Sequence, residues 1–212
     1  GVWFSGRTNY TTGVVLGDVD GDGDLDLVCG NSYETNTFYE NIGGTFSIDP
    51  IWETDPLNAT WSVVLGDVDN DGDLDLACGN DGPNTLYENI GGVFSAAPTW
   101  SSSVSSETRS VILEDVDRDG DLDLVCGNLN QNTMYKNVGG TFEATPSWAD
   151  DSRNDTYAVS LADLDGDGDH DLICGNQDQR NTIYENTGTT FSSLPIWESD
   201  IIDATRGVAV GD

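Results

Sequence analysis

The stretch GDVDGDGDLDLVCGN, Gly17 to Asn31, sets an aspartate at every second position from Asp18 to Asp26 and then turns apolar. It recurs without gaps as GDVDNDGDLDLACGN from Gly66, EDVDRDGDLDLVCGN from Glu114 and ADLDGDGDHDLICGN from Ala162. The first aspartates are Asp18, Asp67, Asp115 and Asp163, at intervals of 49, 48 and 48 residues. Asp212 falls 49 beyond Asp163, where a fifth copy begins. Working outward, each copy continues with Asn-Thr-x-Tyr (Asn36, Asn84, Asn132, Asn181), a glycine turn, a Phe (Phe46, Phe94, Phe142, Phe191) and a Pro-x-Trp ending at Trp52, Trp100, Trp148 and Trp197. Trp3 stands at the same phase ahead of the first copy. Self-similarity at this period is the signature of a repeat architecture.

Each unit reads as four short strands. The first is Val-Val-Leu-like, at Val14–Leu16, Val63–Leu65, Val111–Leu113 and Val159–Leu161. The second is Asp-Leu-Val-Cys-like, as at Asp26–Cys29, and the third spans Thr37–Asn41. The fourth carries the Phe, as at Thr45–Ile48. Gly-Gly at 43–44, 91–92 and 139–140 marks a hairpin turn. Strands one and two are apolar on consecutive residues, which implies burial on both faces. A four-stranded sheet buried on both faces and repeated every 48 or 49 residues is a propeller blade. The expected fold is therefore all-β: four antiparallel blades plus one extra strand, forming a single repeat array over residues 1–212.

The charge points to the chemistry. Seven Lys and Arg face 39 Asp and Glu, a formal net charge of −32. So much unbalanced charge repels itself in a compact fold unless cations neutralise part of it. The six Trp, seven Tyr and six Phe argue against a disordered acidic chain. An acidic surface repels nucleic acid. No apolar run approaches the roughly 20 residues of a membrane-spanning helix, so membrane insertion is not expected. The chain starts at Gly1 rather than Met, which suggests a mature or excised product.

More than half of the acidic residues lie in the repeated loops. Asp18, Asp20, Asp22, Asp24 and Asp26 occupy loop positions one, three, five, seven and nine, with Gly23 at position six. The other loops are Asp67, Asp69, Asp71, Asp73 and Asp75; Asp115, Asp117, Asp119, Asp121 and Asp123; and Asp163, Asp165, Asp167, Asp169 and Asp171. Calcium takes six to eight hard oxygen ligands in flexible geometry. An all-oxygen set favours it over zinc or copper, and magnesium demands stricter geometry. About four calcium ions per chain are expected, bound through the side chains at positions one, three, five and nine and the main-chain carbonyl at position seven. An EF-hand would need Glu at position twelve; Cys29, Cys78, Cys126 and Cys174 stand there, inside a strand.

Asp-x-Asp-x-Asp-Gly-x-x-Asp between two strands, followed by Tyr-x-Asn-x-Gly-Gly-x-Phe, resembles the FG-GAP-like (VCBS) repeat. Integrin α-subunit propellers and some secreted fungal and bacterial lectins are similar. The resemblance implies calcium between strands one and two of each blade, an extracellular setting (secreted or cell surface), and adhesion or binding of a protein or glycan ligand. Such propellers commonly have seven blades; this chain has four complete repeats, and its units are shorter than those of integrins. Residues from Trp3 to Asp18 and from Trp197 to Asp212 share one phase of the repeat. The chain is accordingly expected to belong to a longer array, or to self-associate through its blades into a ring or an extracellular fibre.

Between the Trp and strand one the copies diverge. Trp61, Arg109, Tyr157 and Arg206 share one phase with Thr12 and are candidate ligand-binding residues, because aromatics and arginines in a loop stack on sugars or anchor partners. The competing reading is an unconstrained surface. Asn9, Asn58 and Asn154 open Asn-x-Thr sequons, candidate glycosylation sites or turn caps. The four cysteines, one per blade, read as buried apolar residues too far apart to pair. The repeated Trp reads as core or inter-blade packing. Catalysis has little support: the single histidine, His170, lies inside a metal loop, and no Ser-His-Asp or Cys-His set is present. The chain is not expected to be an enzyme.

Overall fold

The computed structural model describes residues 2–54 and 59–211. No helix occurs among them. The first blade is β1 (Thr11–Gly17), β2 (Asp26–Asn31), β3 (Thr37–Tyr39) and β4 (Trp52–Glu53), hydrogen-bonded in that order and antiparallel throughout. The later blades follow the same plan. In the second, β5 (Ala59–Gly66) pairs with β6 (Asp75–Tyr87), which runs on through the third-strand positions. Next, β7 (Trp100–Glu114) serves two blades: Trp100 pairs with Leu86 of the second, and Thr108–Glu114 pairs with β8 (Asp123–Asn130) of the third. That blade is completed by β9 (Thr133–Tyr135) and β10 (Trp148–Ala149). The fourth comprises β11 (Asn154–Ala162), β12 (Asp171–Gln179), β13 (Thr182–Tyr184) and β14 (Trp197–Glu198).

The fourth strand differs from its expected position. The Phe segment contributes a single bridge per blade (Asn41 with Phe46, Asn89 with Phe94, Asn137 with Phe142, Asn186 with Phe191), and the strand is formed by the Trp instead. Gly43 and Gly44, at φ of 61° and 85°, form the intervening turn, and the pairing beyond it stops at this one bridge. The chain then returns along the third strand, Ile51 N–H donating to the Phe38 carbonyl, and Trp52 takes the edge. The extra strand is also shorter than expected: β15 (Asp203–Ala204) pairs only with β12, at Gln177 and Gln179.

Blades pack face to face through one repeated contact. Trp52 meets Tyr87 and Phe94 of the next blade edge-on, at ring-centroid distances of 5.2 and 5.1 Å. Trp100 meets Tyr135 and Phe142, and Trp148 meets Tyr184 and Phe191, in the same way. Trp3 does likewise with Tyr39 and Phe46. The repeated Trp is thus an inter-blade residue. Edge-to-face aromatic pairs add roughly 0.5–1.5 kcal/mol each to the burial of their area. Deeper in the junction, the glycine after each cysteine leaves room for the next blade. A Cβ on Gly30, Gly79 or Gly127 would come within 2.8 Å of Val63, Val111 or Val159, respectively. The four cysteines are free, and burial pushes the thiols of Cys78 and Cys126 up to about 12.

Substituting Gly79 by Ala tests this register without straining the backbone. The added methyl should overpack the junction by roughly 1–3 kcal/mol, lowering the melting temperature by several degrees. A melting curve that coincides with the parent would contradict the blade-on-blade contact.

Candidate metal centre

Each aspartate-rich loop connects strand one to strand two at the same rim of its blade. The loop winds by hydrogen bonds from its own backbone to its own carboxylates. In the first, the N–H of Gly23 donates to Asp18, that of Asp22 to Asp20 and that of Asp24 to Asp22, at 3.0, 3.1 and 2.8 Å. The equivalents at Gly72, Gly120 and Gly168 donate to Asp67, Asp115 and Asp163. Position six holds φ between 93° and 99° in all four loops, which is why it is glycine. Position four is left-handed as well, although Asn70 and Arg118 occupy it in the second and third loops.

The winding gathers the carboxylates of positions one, three and five. Asp18, Asp20 and Asp22 each place an oxygen within 4.8 Å of the other two, as do Asp67, Asp69 and Asp71; Asp115, Asp117 and Asp119; and Asp163, Asp165 and Asp167. The remaining two positions face elsewhere. The position-seven side chains of Asp24 and Asp73 accept from the hairpin amides of Gly43 and Gly91, both at 2.6 Å. The position-nine carboxylates begin strand two and are buried. Asp26 accepts from Val19 N–H and Asn41 N–H at 3.0 and 2.8 Å, and Asp75 accepts from Val68 and Asn89 in the same way.

A metal ion fits this donor set. Every grouped atom is a carboxylate oxygen, a hard ligand. Within the groups, Asp18 Oδ1 and Asp117 Oδ1 are buried without any hydrogen-bond donor. Buried acceptors lacking a partner are costly unless a cation lies against them.

The next blade fastens each of the first three loops. Asn89 Nδ2 donates to the Val19 carbonyl of the first loop at 2.8 Å, and also to Leu74 of its own. Asn137 reaches Val68, and Asn186 reaches Val116, at 2.7 and 3.0 Å. Val19, Val68 and Val116, at loop position two, are each at most 2% exposed and belong to the inter-blade cores. These clamping asparagines were missed in the sequence; their signal was an invariant Asn after each Tyr-Glu or Tyr-Lys.

The ligand-binding candidates come together at the far end of strand one, six residues before each loop. Arg109 stacks its guanidinium on Trp61, 3.8 Å from the ring centroid, and lies 5.3 Å from Tyr157; Arg206 lies 5.4 Å from the same Tyr157. They form a cation–aromatic ladder crossing the blades. Of the sequons, Asn9 is half-buried, Asn154 is engaged with Ser152, and Asn58 lies outside the described residues. Their threonines have a structural role. Thr11, Thr60 and Thr156 donate to Asn31, Asn80 and Asn176, as does Thr108, which is in no sequon.

The family model for the FG-GAP-like repeat matches residues 18–78, 67–126, 115–174 and 163–212. The chain belongs to the FG-GAP-like repeat family. No curated protein matches it by sequence. Among solved structures, BBS1N in complex with ARL6DN is similar at a TM-score of 0.61 and 13% identity, over 94% of this chain and 58% of that one. An Agrocybe aegerita lectin that recognises non-reducing terminal N-acetylglucosamine is similar at 0.52 and 20%, over 84% of this chain and 49% of that one. The chain therefore spans between about half and three-fifths of the length of these structures. At such identities the likeness is one of fold.

Burial pushes Asp75 and Asp123 up to about 6. Their folded pKa exceeds the unfolded value near 3.8. Their contribution to stability is full below that value and is lost as pH rises through 6. In divalent-free buffer the chain should melt at a higher temperature at pH 5 than at pH 7.5. The reverse order would contradict this description of the position-nine carboxylates.

Proposed function

We propose that this chain is part of a calcium-stabilised, extracellular β-propeller that binds a protein or glycan ligand. The observation that carries the reading is the fourfold grouping of position-one, -three and -five carboxylates, which in the first and third loops includes a buried oxygen that has no donor. Calcium suits the site because it accepts many carboxylate and carbonyl oxygens in irregular geometry. Position seven supplies its carbonyl and position nine holds the loop to strand two.

Ligand binding is placed at the opposite rim, on the Trp61–Arg109–Tyr157–Arg206 ladder. Flat aromatic and guanidinium faces stack on sugar rings and aromatic side chains alike. The fold shared with a lectin is consistent with a glycan partner, and that shared with BBS1N is consistent with a protein partner. The residues in use are metal ligands and packing groups, which supports a binding module rather than an enzyme.

Ring closure needs further blades. Val14 and Leu16 of β1 are 63% and 54% exposed, whereas the counterparts of Val14 (Val63, Val111 and Val159) are covered by the preceding blade. Trp197 is 50% exposed where Trp100 and Trp148 are buried. These faces match the internal junctions and would receive blades of the same kind. The same observation favours a second reading, a structural subunit whose blades assemble between copies into a fibre or matrix. Polymers that lengthen with protein concentration under the electron microscope would favour that reading.

Two outcomes test the proposal. An ion held at a hundred times its dissociation constant adds about 2.7 kcal/mol by mass action, so excess EGTA should lower the melting temperature by at least about 5 °C. An unchanged melt would refute calcium stabilisation. On an array that includes glycans ending in N-acetylglucosamine, the double variant Trp61→Ala, Arg109→Ala should lose binding that the parent shows. Equal binding by parent and variant would remove the ladder from the ligand site.

A further inference from the structure

The third loop differs from the others in one charge. The residue before the clamping asparagine is Glu40, Glu88 and Glu185 in the first, second and fourth blades, and Lys136 in the third. Lys136 Nζ is paired with the Asp117 carboxylate and lies 3.3 Å from Asp119 Oδ2. Those are the position-three and position-five carboxylates of the third loop, two of the three that the winding brings together. In the first blade the same place holds Glu40, beside Asp20 and Asp26. A cation thus stands where another loop has a further anion.

We infer that Lys136 is a built-in counter-ion that makes the third loop a weaker divalent-cation site than the others and keeps it wound when the metal is removed. The inference rests on the calcium reading above. An ammonium against two of the carboxylates neutralises part of the charge that draws a divalent ion, and it repels that ion directly. The pair is not an ordinary surface salt bridge, since the Asp117 side chain is only 6% exposed and is poorly screened by water. Lysine suits the role because its ammonium is a compact charge on a flexible stem. Asp117 Oδ1 remains without a donor, so an ion that displaces the lysine still finds a ligand there. The consequence is graded: the third loop stays ordered at calcium concentrations that empty the others.

Calcium titration by calorimetry, with ion counting by native mass spectrometry, tests this on the parent and on Lys136→Glu, Lys136→Gln and Glu88→Lys. The parent should show one site at least about tenfold weaker than its tightest. Lys136→Glu should convert that site into a tight one, raising by one the number of ions retained at low micromolar calcium. Lys136→Gln should do so partially, and Glu88→Lys should remove one tight ion. An ion count unchanged by Lys136→Glu and Lys136→Gln, with both variants folded, would overturn the role of Lys136 alone. A parent that retains no calcium at all would overturn the calcium reading and this inference together.

Discussion

Concentrated negative charge is the constraint on which the structure depends. Each loop brings three carboxylates within 4.8 Å of one another, and a fourth, at position nine, lies buried at the start of strand two. Backbone amides answer part of that charge, wrapping the loop around its own side chains. They leave Asp18 Oδ1 and Asp117 Oδ1 with no donor, and a cation could answer the charge there. The loops are not independent decorations. Position two of the first three is a valine in the inter-blade core, and its carbonyl is bound by an asparagine of the next blade. Charge balance in a loop therefore governs the junction that follows it.

Stability in such an array is a sum over units and nearest-neighbour junctions. The junctions vary by compensated exchange. Gly17 and Gly66 lie against Leu65 and Leu74, and against Leu113 and Leu122, of the following blades. At the next junction the two equivalent places hold Glu114 and His170, and these pair with each other at 2.8 Å. An apolar contact against glycine has been exchanged for a polar pair between the same two loop ends. The third blade, with Lys136 and Arg118, carries the largest departure from the repeated charge pattern. Hydrogen bonds within the fourth loop, first from the Asp169 backbone and side chain, hold Asp167 below the ordinary carboxylate range, and the Arg118 charge adds a smaller share.

Much of this was legible in the residues. The alternating aspartates, the glycine at position six and the period of 48 or 49 residues sufficed for the loops and the four-stranded antiparallel units. The fourth strand was misplaced because Phe46 is a better strand former by type than its neighbours. Which segment takes the edge is decided by the return of the chain along the third strand at Ile51 and Trp52, which composition does not reveal. Position seven reads as a main-chain carbonyl ligand, but where its side chain goes, and the hydrogen bonds of the position-nine carboxylate, could not be read from spacing alone. Their partners, Gly43 and Asn41, arrive from the third strand and its hairpin. The stacking of Trp61, Arg109 and Tyr157 was equally invisible, since it joins residues one full repeat apart. The sequon threonines illustrate the opposite hazard. A motif suited to glycosylation also serves a hydrogen bond to the asparagine of strand two, and Thr108 keeps that bond where the sequon is absent.

Diffraction to high resolution from crystals grown in calcium, with anomalous data collected, tests the central claim most directly. The account requires an anomalous peak inside the first loop at roughly 2.3–2.6 Å from carboxylate oxygens of Asp18, Asp20 and Asp22. Ordered water alone at that point, with the three carboxylates still gathered, would contradict it.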